Sequence, residues 1–176
     1  MRCSISFLVA LLFLANAFYV QAQEKTGPAK KLANGIYAVL REGPKQNDLL
    51  PLKEGEVLAA DRRLYQKKDE KEAPRHLVVR STPDVELNLA AEPKAVIEGE
   101  EVVRILLKLQ PNSAAALERL TTDRVGKQIA IVVDGEVVTV HKVRDVIKGG
   151  AAQISCCAPG SAKFLLEQLQ KLQKSK

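Results

Sequence analysis

The side chains able to do covalent chemistry are few and lie mostly in the second half of the chain. Ser155 could serve as a nucleophile, His141 as its base, and Asp134 or Asp145 as the group that orients the imidazole, the set a secreted hydrolase would need. No GxSxG elbow surrounds Ser155, and His141 falls at a strand end, where a histidine commonly packs or meets solvent. Cys156 and Cys157 are neighbours, and adjacent cysteines bridge only through a strained ring because one peptide spans less than the usual Cα separation. They read as one buried and one exposed thiol; a vicinal disulfide, or a bridge that anchors a structural envelope protein to a partner, are the alternatives an oxidising compartment allows. His76 and His141 stand apart from any CxxC or carboxylate cluster, so no structural zinc or other metal is expected. GxxxxGK and GxGxxG are absent, and no cofactor is expected. The inventory points away from an enzyme and toward a binding protein.

Composition narrows the class further. The 176 residues carry 27 Lys+Arg against 21 Asp+Glu, a net charge of +6, with 46% hydrophobic and 4% aromatic residues. These values exclude a disordered acidic tail, a collagen-like repeat and a polytopic membrane protein. So few rings offer little to stack on bases, and nucleic acid is not an expected partner. Residues 23–93 hold 13 basic and 12 acidic side chains and residues 94–176 hold 13 and 9, an excess spread too thinly to define a patch for anionic lipid or wall polymer.

Met1-Arg2-Cys3 followed by an apolar run from Ile5 to Val20 has the form of a secretory signal peptide, with Val20-Gln21-Ala22 as its cleavage site. The run is shorter than the roughly 20 residues of a membrane-spanning helix. Residues 1–22 are therefore expected to direct export to the periplasm or the medium, and contact with a membrane surface is expected only if the leader is retained. Cys3 leaves with the leader, as do Phe7, Phe13, Phe18 and Tyr19. The mature core must then be built from Val, Ile, Leu and Ala.

The elements that position these residues follow from periodicity and turn chemistry. Residues 23–35 are polar and read as a flexible lead-in. Ile36–Arg41, Arg63–Lys67 and His76–Arg80 read as strands, with loop up to Gly55 and a mixed charge run, Lys68–Glu72, as a solvated hairpin tip. Val85, Leu87 and Leu89 alternate with polar residues at the period of a half-buried strand, and Pro93 marks a seam between an N-terminal β-rich region, 36–93, and an α+β domain, 94–176. Val102–Leu109 predicts a strand, interrupted by Pro111-Asn112-Ser113, with Ser113 as N-cap of a helix through Leu120 and Gly126 beyond its end. Gln128–Val133 is apolar on both faces and predicts a central strand; Asp134-Gly135 then turns the chain into an antiparallel partner. Gly149-Gly150 breaks the chain, as a turn or a close backbone approach, before a short strand at Ala152–Ser155. Pro159 and Ser161 open a last helix with Ala162, Leu165, Leu166, Leu169 and Leu172 on one face.

The stretch from Leu120 through Thr121, Val125-Gly126-Lys127, Ala130-Ile131-Val132, Asp134-Gly135, Arg144, Ile147, Gly149-Gly150 and Gln153-Ile154 resembles the first periplasmic head domain of SecD, in this order and at this spacing. Val140-His141 stands where that family usually has Ala-Pro, and Ser155-Cys156-Cys157 stands where it has glycines. The resemblance covers most of Val102 to Leu172 and includes none of the intramembrane carboxylates that couple proton flow to export, so that activity does not carry over. What it implies is an α+β fold, a mainly antiparallel sheet with two helices packed on one face beside a small N-terminal β region. It also implies a non-catalytic accessory module that meets exported or unfolded polypeptides, or translocon and envelope proteins. Asp134, Gly135, Gly149 and Gly150 read as structural turns, and Arg144 and Lys148, flanking the second turn, as the candidate contact residues. An edge strand could receive an extended peptide by strand addition. Mass spectrometry of the exported protein should find a chain that starts at Gln23; a mature protein retaining Met1 would contradict cleavage.

Overall fold

Where both faces of a strand are apolar, the chain must cover both, and the computed structural model of the protein shows how this is done. It describes residues 31–61, 75–98, 102–156 and 159–174. The leader, the Arg63–Lys67 strand and the Lys68–Glu72 tip lie outside these residues. Residues 31–176 form one compact unit. Its strands are β1 (Gly35–Ala38), β2 (Arg41–Gly43), β3 (Glu56–Asp61), β4 (Arg75–Arg80), β5 (Val85–Glu86), β6 (Lys94–Glu98), β7 (Val102–Lys108), β8 (Gln128–Val133), β9 (Glu136–Lys142) and β10 (Ala151–Cys156). The helices are α1 (Pro111–Asp123) and α2 (Pro159–Lys174), with a 3-10 turn at Gln46–Leu49.

The strands form three sheets, ordered β5-β1-β8-β9, β10-β7-β6 and β2-β4-β3, and every strand pair described is antiparallel. The architecture is α+β. β8 lies inside the four-stranded sheet, as its two apolar faces require. Ile129, Ile131 and Val133 pack with Ile105, Leu107, Ile154, Leu117, Leu165 and Leu169 in the larger core. Ala130 and Val132, on the opposite face, join Tyr37, Val39, Leu77 and Val79 in a second core under the β2-β4-β3 sheet. β1 repeats the same alternation, Ile36 and Ala38 one way, Tyr37 and Val39 the other. A segment N-terminal to Pro93 thus supplies an interior strand to the sheet that holds β8 and β9.

Several expectations are corrected. The strand expected over Ile36–Arg41 is two strands, because the chain leaves one sheet for another at Val39-Leu40: Val39 N–H donates to Gln128 O at 3.1 Å and Leu40 N–H to Val78 O at 2.8 Å. β3 begins just past the loop expected up to Gly55, where no element was expected, and pairs with β4 from Glu56↔Arg80 to Asp61↔Arg75. Ser113 is not the N-cap of α1; Gln110 holds that place, Pro111 occupies the first turn where its missing N–H costs nothing, and Ser113 is buried within the helix. Beside the expected small N-terminal β region, here the β2-β4-β3 sheet, the strands expected in one main sheet are divided between two, β5-β1-β8-β9 and β10-β7-β6.

At the Gly149-Gly150 break both residues have positive φ, 67° and 69°. A Cβ at Gly150 would stand 2.5 Å from Ala114 Cβ on α1, so this turn lets β10 start hard against the helix. Gly150→Ala should destabilise the protein by about 2–4 kcal/mol, combining backbone strain with overpacking. In urea unfolding, pairing it with Ala114→Gly should give less than the sum of the two single losses, and strict additivity would refute the steric account.

Candidate functional site

A cleft of about 340 Å³ opens between β10 and the segment that follows β9. Its apolar wall comes from Ile36, Ile129 and Ile131 on the main-core face of the central sheet and from Leu117 of α1. Its rim is His141 to Ile147 on one side and Ala152, Gln153 and Ser155 of β10 on the other. Among the described residues β9 and β10 are each the outermost strand of their sheets.

The register of β9 decides which side chains face this cleft. Gln128 to Ile131 pair with Lys142 to Thr139, but Val132 pairs with Val137, so Val138 is an extra residue on β9. A bulge of this kind switches every later side chain to the other face. Thr139 and His141 therefore share the face of their partners Ile131 and Ile129, toward the cleft. Without the bulge they would point to the second core.

The rim is tied down on the α1 side. Val143 N–H donates to Lys127 O at 2.8 Å and Gly126 N–H to Val143 O at 2.9 Å. Further on, Ile147 N–H donates to Thr121 Oγ1 at 3.0 Å, and Thr121, itself fully buried, donates to Leu117 O at 2.8 Å. Across the fold, Lys108 Nζ donates to Gly149 O at 2.7 Å. Between these ties Arg144 and Asp145 stay exposed.

The structure brings three of the residues grouped in the sequence to one cleft without joining them, and leaves Asp134 apart. His141, Ser155 and Asp145 line one cleft, yet among the described residues none hydrogen-bonds another. His141 Nε2 instead shares a 3.0 Å hydrogen bond with Thr139 Oγ1, two residues away on the same strand. Asp134 stands at the far hairpin tip with φ 52° beside Gly135 at 82°, the pair of left-handed residues a two-residue turn needs. Its carboxylate accepts from Lys31 Nζ at 2.6 Å, an exposed bond that holds its pKa below the ordinary value. Arg144 lines the cleft; Lys148 is exposed and does not. Cys156 ends β10 and Cys157 lies outside the described residues. Among the described residues no group of three or more His, Cys, Asp or Glu side chains could hold a metal ion, and no helix is long and apolar enough to cross a membrane.

A second concave site, which the sequence reading did not single out, lies at the C-terminal end of α1, where Arg80, Arg119, Arg124 and Lys127 converge around about 450 Å³. Arg119, Arg124 and Lys127 fall within nine residues, a signal that could have been read; Arg80, from β4, could not.

Taken together these features define an antiparallel α+β domain with an open apolar cleft between two outer strands. The chain belongs to the family described as SecDF, P1 head subdomain, whose profile matches residues 62–170. It is 36% identical to the protein translocase subunit SecDF of Thermus thermophilus over 64 residues, 36% of this chain and 9% of that protein. Two solved chains are also similar. One, from a structure of a membrane component SecDF that enhances protein export, is 31% identical with TM-score 0.42, covering 47% of this chain and 38% of that one. The other, a crystal structure of SecDF in a super-membrane-facing form, is 30% identical with TM-score 0.41, covering 49% and 11%. The chain thus spans well under half the length of each relative.

Burial lowers the pKa of His141 below its ordinary value of 6.5. The folded state therefore favours neutral imidazole, and the unfolded chain binds the proton more readily. This contribution to stability is complete above the ordinary value and is lost as pH falls through it toward the depressed folded value. Urea unfolding at about pH 7.5 and about pH 5 should show His141→Gln losing less stability on acidification than the wild type. An equal loss in both would remove His141 as the cause.

Proposed function

We propose that this protein is an extracytoplasmic, non-catalytic accessory module of protein export that holds extended segments of exported polypeptide in the cleft between β9 and β10. One observation carries the reading. The stretch from Leu120 to Ile154, on which the family resemblance rests, supplies the central strand, the bulged β9, the tethered rim and most of β10, which together wall the cleft. Residues outside that stretch add only Ile36, Leu117 and Ser155 to its lining.

The chemistry suits an unfolded segment. An apolar wall accepts alternate side chains of an extended chain, and an outer strand offers backbone groups to its main chain, a mode with little sequence specificity. Lys142 and Arg144 on the rim would meet carboxylates of the segment. A leader at residues 1–22 would deliver the domain to the compartment where such segments emerge. The cleft residue best placed to be a base, His141, is bonded to Thr139 rather than to Ser155, which favours binding over hydrolysis.

Titration of the full mature chain with an unfolded secretory polypeptide should give saturable binding. Val146→Asp, which puts a charge in the cleft, should weaken it about tenfold, whereas Lys148→Gln, outside the cleft, should leave it unchanged. Absence of binding at about 100 μM, or equal binding by Val146→Asp, would overturn the proposal.

A further inference from the structure

We propose a second binding site, for a phosphate-type oxyanion, in the basic cleft at the C-terminal end of α1. It shares no lining residue with the apolar cleft and does not depend on the polypeptide reading.

Four cations and two carboxylates, Asp84 and Asp123, line about 450 Å³. Asp84 is already committed: Oδ1 accepts from Arg80 Nη1 and Oδ2 from Ala38 N–H, both at 2.8 Å, and its side chain is 10% exposed. Arg80 and Asp84 thus form a fixed, neutral pair across the turn between β4 and β5. That leaves Arg119, Arg124 and Lys127 facing one carboxylate, Asp123, and among the described residues none of the three makes an ion pair. Three cations on one concave wall repel each other, and an anion in the middle relieves this.

The guanidinium groups are also held. Arg119 Nε donates to Ala115 O at 3.3 Å, and Arg124 Nη1 donates to Val39 O at 3.4 Å. A guanidinium carries five N–H donors, so each of these long tethers restrains the group and leaves most of its fork open. Fixed forks match the paired oxygens of a phosphate and lose less freedom on binding it than mobile lysines would. Solvated surface charge is the ordinary fate of exposed arginines. Here concavity and backbone tethers from two separate segments argue otherwise. The helix dipole accounts for Arg124 and Lys127 at the end of α1, but not for Arg80, which arrives from β4.

The ligand chemistry is a phosphate ester, and two sources carry it: a soluble phosphate compound and the headgroup of an anionic phospholipid. Pyrophosphate titrated calorimetrically into the full chain at low salt probes the first. Cosedimentation with phosphatidylglycerol in phosphatidylcholine vesicles, against phosphatidylcholine alone, probes the second. In whichever arm binds, Arg119→Gln with Lys127→Gln should reduce affinity about tenfold or more, and Asp123→Asn should raise it. Circular dichroism checks that these exposed substitutions leave the fold intact. Binding of pyrophosphate assigns the soluble source, and binding of phosphatidylglycerol vesicles without pyrophosphate assigns the headgroup. Failure of both ligands to bind, or affinity indifferent to these three substitutions, would overturn the site.

Discussion

The pairing of β1 with β8 is the interaction on which the rest of the structure depends. Four register pairs, Gly35↔Val132 to Ala38↔Ile129, join two strands that are buried on both faces. A strand pair in that position must be covered twice, once by the helices and the β10-β7-β6 sheet and once by the β2-β4-β3 sheet. With so few aromatic residues the core relies on branched aliphatics at close spacing, and Tyr37 is the one ring among the fully buried residues described. Its hydroxyl donates to Ala33 O at 2.7 Å, so a polar tip is satisfied at the boundary, and burial raises its pKa. The second cover is fastened by ionic contacts at the margin: Arg41 donates to both oxygens of Glu56, which lowers that carboxyl's pKa, and Arg75 bridges Glu42 at 3.2 Å.

The apolar cleft follows from this arrangement. The four-stranded sheet and the β10-β7-β6 sheet share a core without sharing a ladder, so each ends in an outer strand and a gap remains between β9 and β10. A bulge at Val138 aims His141 into the gap, and bonds that join Val143 to Gly126 and Lys127, and Ile147 to Thr121 of α1, keep its rim from collapsing inward. The apolar wall inside the cleft is the same set of isoleucines that closes the main core, so the cleft is as rigid as the core beneath it.

Much of this was legible in the residues, for local reasons. Gln128–Val133 announced a doubly covered strand because it alternates nothing, and Asp134-Gly135 announced the hairpin because few other pairs tolerate two positive φ values. Val85, Leu87 and Leu89 alternate and are buried in alternation. What was not legible was set at a distance. Glu56–Asp61 pairs with a strand that begins only at Arg75, and it carries small Ala59 and Ala60 in place of the β-branched residues that mark strands. Pro111 reads as an interruption unless it is known to sit at a helix start. The one-residue bulge that turns His141 toward the cleft depends on packing against both cores, and the basic cleft joins Arg80 to residues some forty positions away.

The central claim is that β1 and β8 form one cooperative unit, so that the N-terminal strands are integral to the domain. Native-state hydrogen exchange of the backbone amides tests it most directly, because exchange reports the free energy at which each segment opens. The account predicts that the hydrogen-bonded amides of Gly35–Ala38 and Gln128–Val133 exchange together, among the slowest in the molecule and with a free energy equal to that of global unfolding. Amides of β1 that exchange well before those of β8 would contradict it, showing that the domain holds together without its N-terminal strand.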